Sequence, residues 1–519
     1  MRPDTAALAR FFSKLFGRLA LYWRRWLERQ LGDRAANRIN RVLSAIALPS
    51  IALFLALALL TYSQYQVNQP IAGSIEAPAP VTQAPVTQAP VTQAPVTPAP
   101  IANAPIANTP IANAPPAEAL TPLEAPPIPE AVANAAEIRG VWITNVASNI
   151  LFAPWGIPKA IDQLAALRFN TVYPVVWNRG KTFYRSRVMK DMTGQNIEPL
   201  IALTHPKEDP LEEMVRLGHE KNIQVLPWFE YGFMVPLNSS IARQHPDWLT
   251  ARQNGSRRLK DDSFEEEGVL SEERAENRGW LARLLRSGAP NHLGWLNPMH
   301  PSVQGLLLSL VEEVVSQYDV DGVQFDDHFS LPVEFGYDDY TVALYRAEHQ
   351  GQSPPSNPAD TDWIRWRAGK LSKFMGILYA RVKTTCPSCT VSISPNPAKF
   401  AYRFNLQDWQ TWVSKGWVDD LVVQIYRDDL EQFERELEKN PLRAAANRIP
   451  VSVGILTGTW RHPIAFEQIQ QQVESSRDRQ FAGVSFFYWD TLWSYFTPEA
   501  PQRRREDFKQ LMAFEKEQG

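Results

Sequence analysis

The sequence predicts an α/β protein: a (β/α)8 barrel with long insertions after its strands, carried behind a membrane-spanning helix and a proline-rich linker. Three observations lead there. From Glu137 onward eight short β runs alternate with helical segments, the pattern of a parallel sheet with helical crossovers. Segments that leave strands are long and segments that enter them are short, an elaboration that a barrel gathers on one face. Ahead of these stand an uncharged apolar run and a proline repeat, neither of which suits a packed core.

Residues 1–41 form a basic segment, with ten Lys and Arg against Asp4, Glu28 and Asp33. Residues 42–62, Val42 to Tyr62, then carry no charged side chain for the length that crosses a bilayer, about 20 residues. This predicts a single-pass anchor whose basic flank stays in the cytoplasm, so that the rest of the chain is exported. A cleavable signal peptide is the competing reading; both regions are long for it, and no clear Ala-x-Ala site follows. The stretch from Leu8 to Leu31 mixes apolar and arginine positions and reads equally as a helix on the inner membrane face or a plain cytoplasmic helix.

Residues 63–136 change character abruptly. Val-Thr-Gln-Ala-Pro repeats begin at Val81 and Ile-Ala-Asn-Ala-Pro variants at Ile101. Frequent proline removes amide donors and favours polyproline II, so this segment is read as a disordered, semi-rigid spacer of roughly 3 Å per residue where extended.

Residues 137–519 are read as the barrel. The expected strands are Arg139 to Thr144, Thr171 to Val176, Gln224 to Trp228, Gly322 to Phe325, Thr390 to Ser394, Leu421 to Tyr426, Val451 to Ile455 and Gly483 to Tyr488. Helices are expected between them, for example Pro158 to Leu167, Leu211 to Lys221, Val303 to Gln317, Trp363 to Lys383, Leu430 to Glu438 and Phe466 to Arg479. Long loops leave strands at Trp177 to Asp209, Phe229 to Ser302 and His328 to Asp362. Within the second of these, the charged stretch Arg252 to Arg278 reads as a solvated excursion or a lid.

The fourth run carries the chemistry. Val323 and Phe325 share one face and Gln324 and Asp326 the other. If the first pair packs under helices, Asp326 projects inward at the C-terminal end of its strand, where barrels place catalytic groups, with Asp327 beside it. Either aspartate alone also suits a turn or a helix cap; two together suit that less well. Gln424 and Tyr426 repeat the phase of Gln324 and Asp326, so Tyr426 is expected at the same mouth. Trp142, Tyr173, Trp177, Trp228, Tyr231, Tyr426, Tyr488 and Trp489 lie in or just after strands, where each is either core or a platform for a sugar face. A net charge of −3 gives no reason to expect nucleic acid.

In this register the chain resembles glycosyl-hydrolase-like family 10, bacterial extracytoplasmic barrels, over about Glu137 to Trp493. The resemblance rests on Arg139-Gly140-Val141-Trp142-Ile143-Thr144, on Asn170-Thr171-Val172-Tyr173 with Trp177, and on Trp295-Leu296-Asn297-Pro298. It continues in Asp321-Gly322-Val323-Gln324-Phe325-Asp326-Asp327, Ser392-Ile393-Ser394-Pro395, Val423-Gln424-Ile425-Tyr426 and Gly483-Val484-Ser485-Phe486-Phe487. It implies hydrolysis of a glycan such as peptidoglycan strands or another cell-envelope polysaccharide, by a barrel on the outer side of the bacterial plasma membrane. Relatives often show Trp-Phe-Asn-Pro-Tyr after the third strand, whereas this chain has Trp228-Phe229-Glu230-Tyr231-Gly232. A carboxylate there either changes the acid assignment or binds substrate.

Glycosidic cleavage needs a proton donor and a second carboxylate. Asp326 is the first candidate, Asp327 its neighbour and Glu230 the second carboxylate; Asp490 is an alternative partner. Asn145, Trp177, Asn178, Asn297, His300, His328, Asn396, Gln424, Tyr426, Trp489 and Asp490 are candidate substrate contacts. Asp326-Asp327-His328 also reads as a metal triad of a deacetylase, but no His-x-x-x-His pair accompanies it, so neither metal nor cofactor is expected. Cys386 and Cys389 read as a small disulfide in an exported chain. The expected function is a membrane-anchored glycoside hydrolase; a catalytically silent glycan-binding tether is the alternative.

Overall fold

Nine parallel strands form one curled sheet: β1 (Ile138–Ile143), β2 (Thr171–Pro174), β3 (Gln224–Val225), β4 (Trp228–Phe229), β5 (Gly322–Asp326), β6 (Thr390–Ser394), β7 (Asp420–Gln424), β8 (Val451–Leu456) and β9 (Gly483–Phe487). Their order is β3-β2-β1-β9-β8-β7-β6-β5-β4. The computed structural model describes residues 136–513, apart from 147, 149, 260–292, 460–461 and 495–496. The basic segment 1–41, the apolar run 42–62, the proline-rich 63–136 less its last residue, and much of the charged stretch Arg252 to Arg278 lie outside the described residues. Among the described residues no helix is long and apolar enough to cross a membrane.

The two ends of the sheet, β3 and β4, are successive pieces of one run separated by Leu226 and Pro227. The Leu226 amide donates to the Val172 carbonyl at 3.0 Å on one side, and the Gln324 amide donates to the Pro227 carbonyl at 2.9 Å on the other. One run therefore borders both β2 and β5, and the edges of the sheet meet on it. The sequence predicts an unbroken strand from Gln224 to Trp228; the run is instead interrupted at Pro227, which has no amide to give to a ladder. The other seven runs begin and end within two residues of expectation.

Helices cover the outside: α1 (Gly156–Ala166), α2 (Pro210–Glu220), α3 (Pro301–Gln317), α4 (Thr361–Thr385), α5 (Leu430–Leu437), α6 (Phe466–Asp478) and α7 (Pro501–Met512). Their starts are written in the sequence. Asp209 accepts from the Leu211 amide at 2.9 Å with Pro210 in the first turn of α2, and His300 with Pro301 opens α3. Leu211, Met214, Val215 and Gly218 of α2 are buried, the i, i+3, i+4, i+7 spacing of one face.

The strands split their side chains as the two-residue period demands. Val323 and Phe325 are buried on the helix-facing side, Phe325 stacking on Phe229 with ring centroids 5.2 Å apart. Gln324 points inward, where it accepts from Trp142 Nε1 at 2.6 Å and donates to Ser392 Oγ at 2.9 Å. A polar, hydrogen-bonded interior thus lies one step below Asp326.

The loops that leave strands hold structure of their own. After β2, Trp177–Asn178 pairs with Lys181–Thr182, followed by helices Arg187–Thr193 and Pro199–Thr204. After β4, Met234–Pro236 pairs antiparallel with Leu293–Trp295. Cys386 and Cys389, in the turn between α4 and β6, form a disulfide.

Candidate active site

Asp326 is the last residue of β5, opposite Ser394 of β6, and is 2% exposed. Its Oδ1 accepts from the His328 amide at 2.8 Å, and its Oδ2 lies 3.2 Å from His328 Nδ1. Asp327, half-buried, turns the opposite way along the mouth. Its Oδ2 accepts from Asn396 Nδ2 at 2.9 Å, its Oδ1 accepts from Gln424 Nε2 at 3.3 Å, and the same Oδ1 is 3.5 Å from His328 Nδ1. The imidazole is therefore shared by the two aspartates. Burial alone lowers its pKa, but the two negative charges outweigh burial and raise it to about 9. Burial raises the Asp327 carboxyl, the imidazolium opposes that, and the Asp326 charge adds to it.

Glu230 follows β4 and is buried. Its Oε2 accepts from Thr144 Oγ1 at 3.0 Å and from Asn178 Nδ2 at 2.8 Å. Asn178 Nδ2 also reaches Asn145 Oδ1 at 2.8 Å. Burial first, then the Asp326 charge, push the Glu230 carboxyl up to about 7, against the pull of Asn178 and Thr144. A carboxyl that keeps its proton near neutrality thus lies in the field of a second carboxylate, Asp326.

The loops after β4 and β5 are locked together at Gly232. Its φ of +34° and its position against the neighbouring turn both require glycine: a Cβ there would stand 2.4 Å from the His328 carbonyl oxygen. This approach lays the Tyr231 ring on the His328 ring at 4.7 Å. From beneath, Gln407 Nε2 donates to the carbonyls of Asp326 at 2.8 Å and Phe329 at 3.1 Å, fixing the turn that carries both aspartates.

Of the sequence candidates, Glu230, Asp326, Asp327, His328, Asn145, Asn178, Asn396 and Gln424 meet in this network. Tyr426 is half-buried beside it, its hydroxyl pushed up by burial and by Asp327 and Asp326. Trp177 is buried and donates to the Gly232 carbonyl at 2.8 Å, supporting the mouth from behind. Trp489 is buried against Trp493, and burial first, then half-buried Asp490, raise the Tyr488 hydroxyl. Asn297 and His300 stand elsewhere. Asn297 is fully buried and donates to Asp338 and Thr341, and His300 Nδ1 accepts from the Ser302 amide at the start of α3. Of the rings read as core or platform, Trp142, Tyr173, Trp228 and Tyr488 are buried core, and Tyr231 is half-buried beside the cluster.

Sequence reasoning missed Thr144, Arg179 and Gln407. Thr144 ends the first expected strand run, so its place at the barrel mouth was readable; Gln407 lies 81 residues beyond Asp326, and nothing local marks it.

One ligand atom from each of Asp326, Asp327 and His328 falls within 4.8 Å of the others, so the trio could also hold a cation. A cavity of about 250 Å³ lies away from all three carboxylates, lined by Phe400, Arg403, Phe404, Arg427, Glu436 and Leu442 among others.

Parallel curled sheet, helical cover and a carboxylate cluster at the strand ends define a protein of the glycoside-hydrolase barrel class. The profile of the glycosyl hydrolase-like 10 family matches residues 137–271 and 265–477, and the chain belongs to that family. It is similar to the glycosyl hydrolase DigH of Escherichia coli K12, 25% identical over 334 residues, covering 56% of this chain and 62% of DigH. It is also similar to the glycosyl hydrolase YngK of Bacillus subtilis, 22% identical over 327 residues, covering 56% of this chain and 54% of YngK. The matches thus span little more than half the length of these relatives. Among solved structures, the glycoside hydrolase domain of PgaB from Bordetella bronchiseptica superposes with a TM-score of 0.47 at 14% identity, over 74% of this chain and all of that domain.

Proposed function

We propose that this chain is a glycoside hydrolase that cleaves a cell-envelope glycan, peptidoglycan strands being the leading substrate. In this reading residues 42–62 anchor it in a bacterial plasma membrane, 63–136 space it from the bilayer, and 137–519 form a closed (β/α)8 barrel on the outer side. Support for closure comes from the run Gln224 to Phe229, which bonds to both β2 and β5. Support for the exported side comes from the basic flank of the apolar run and the Cys386–Cys389 disulfide.

The observation that carries the reading is Glu230, a buried carboxyl held near pKa 7 in the field of Asp326. Hydrolysis of a glycosidic bond needs a proton for the leaving oxygen and a second carboxylate to act as base or nucleophile. Glu230 suits the first task and Asp326 the second. His328, positively charged between the aspartates, steadies Asp326, and Asn396 and Gln424 fix Asp327 for hydrogen bonding to a sugar hydroxyl.

The test is incubation of the full-length protein, and of Asp326→Asn and Glu230→Gln variants, with peptidoglycan and peptide-stripped glycan strands, with and without chelator. New reducing ends from the parent that survive chelator and vanish in the variants are expected. Loss with chelator would instead assign Asp326, Asp327 and His328 to a cation. Intact strands that co-sediment with all three proteins would make the barrel a glycan-binding tether.

A further inference from the structure

Arg179 stands at the mouth without a task in the proposed chemistry. It follows Asn178, the donor to Glu230, and is half-buried. Its Nη2 donates to Tyr231 Oη at 3.1 Å and its guanidinium lies 4.8 Å over the Tyr231 ring, whose plane also stacks on His328. The cation is thus one ring away from the imidazole that the two aspartates share.

What distinguishes Arg179 is what it lacks. Among the described residues no carboxylate lies within salt-bridge distance of it, and its Nε is buried with no acceptor. Four other sheltered arginines each meet a carboxylate or several backbone carbonyls, although the buried Nε of Arg252 also has no acceptor. Arg252 meets Glu334 at 3.0 Å, Arg427 meets Glu436 at 3.1 Å, and Arg504 meets Glu499 at 2.6 Å. Arg367, which has no carboxylate partner, donates instead to the carbonyls of Val333, Phe335, Pro358 and Trp363. A guanidinium with one phenol oxygen for a partner, beside a catalytic cluster, has donor capacity that the protein itself leaves unused. Tyr231 occupies its face, so the remaining donors lie along its edge, and an edge of in-plane N–H groups matches a planar two-oxygen acceptor.

We propose that Arg179 binds a carboxylate borne by a sugar beside the scissile bond, making this site selective for acidic glycans. This rests on the hydrolase reading above and adds to it the feature of the substrate that is recognised.

The test compares two forms of one substrate on the full-length protein: peptide-stripped glycan strands with native carboxylates, and the same strands with those groups reduced to alcohols. The parent is expected to cleave the native form with kcat/KM about ten- to hundredfold higher, chiefly through KM, as for a hydrogen-bonded charge. In Arg179→Gln the ratio between the two forms should collapse toward one; Arg179→Lys, which keeps the charge and loses the fork, should fall between. Equal cleavage of both forms by the parent overturns the proposal. So does an Arg179→Gln variant that slows both forms alike while its pH profile shifts, since the arginine would then only offset the charge of the cluster. If neither form is cleaved, the hydrolase reading fails separately, and equilibrium binding decides: tighter binding of native strands that Arg179→Gln abolishes upholds the carboxylate site, and equal binding of both forms overturns it.

Discussion

Glu230 is held by opposing demands. Thr144 and Asn178 offer hydrogen bonds that suit its charged form, whereas burial and the Asp326 charge suit its neutral form, and the second pair prevails at about 7. If it donates the proton, kcat/KM falls as pH rises through about 7, and Glu230→Gln removes that limb while lowering kcat roughly 10²- to 10⁴-fold. A pH–rate profile of parent and variant checks both. The same residue makes stability depend on pH. Its folded pKa lies above its ordinary 4.5, so its contribution is fully present below about 4.5 and is lost as pH rises through about 7, an effect of roughly 3 kcal/mol. The His328 imidazole, raised from 6.5 to about 9, acts in the same direction at higher pH. Melting temperature should therefore decline from about pH 5 to 9. Glu230→Gln should flatten the lower part of that decline and His328→Gln the upper; parallel curves for all three proteins would refute the assignment.

At the scale of elements, the site depends on how two turns are fastened. Gly232→Ala would drive a methyl group into the His328 carbonyl and impose an unfavourable φ, so the loop after β4 must lift. Stability should fall by about 1–3 kcal/mol, and activity should fall with it because Tyr231 no longer seats on His328. Gln407→Ala leaves the Phe329 carbonyl without its Gln407 donor, costing about 1–3 kcal/mol, leaves the Asp326 carbonyl with the Phe329 amide alone at 3.1 Å, and loosens the turn bearing Asp326. On the proposed reading its kcat should drop more than its KM rises, because Asp327 on the same turn is still held by Asn396 and Gln424 while Asp326 loses its support. Denaturant titration and steady-state kinetics measure these effects. The strand-end position of Asp326 and Glu230 was legible in the sequence, since a two-residue period and a turn signal place a side chain at the barrel mouth. The fastenings were not. Gln407 and Gly232 act through contacts with backbone carbonyls, and no local pattern announces which carbonyl a distant side chain will meet. Asn297 shows the converse: an amide in a family-like motif whose donors are consumed by Asp338 and Thr341.

For the whole molecule, the alternation of β runs and helices was readable because each strand must bury one face under a helix, which leaves a periodic mark. The break at Pro227 was not read: the run from Gln224 to Trp228 is expected whole, and it divides because a residue without an amide stands in the middle of a run that serves two neighbours. How the barrel is delivered to its substrate is a separate question of reach. If residues 63–136, 74 residues rich in proline, act as the proposed spacer, they would let a tethered barrel work tens of ångströms from a bilayer, at roughly 3 Å per residue where extended. Tethering raises effective concentration only if the spacer can span the distance to the glycan. Deleting the repeats 81–115 should therefore reduce cleavage of the envelope in intact cells while leaving the rate of the purified protein on soluble strands unchanged. Removing 1–62 should release the protein from membranes washed at high pH. A shortened spacer that slows the purified enzyme equally would mean the repeats act on the barrel itself, and a truncated chain that stays with the membrane would remove 42–62 as the anchor.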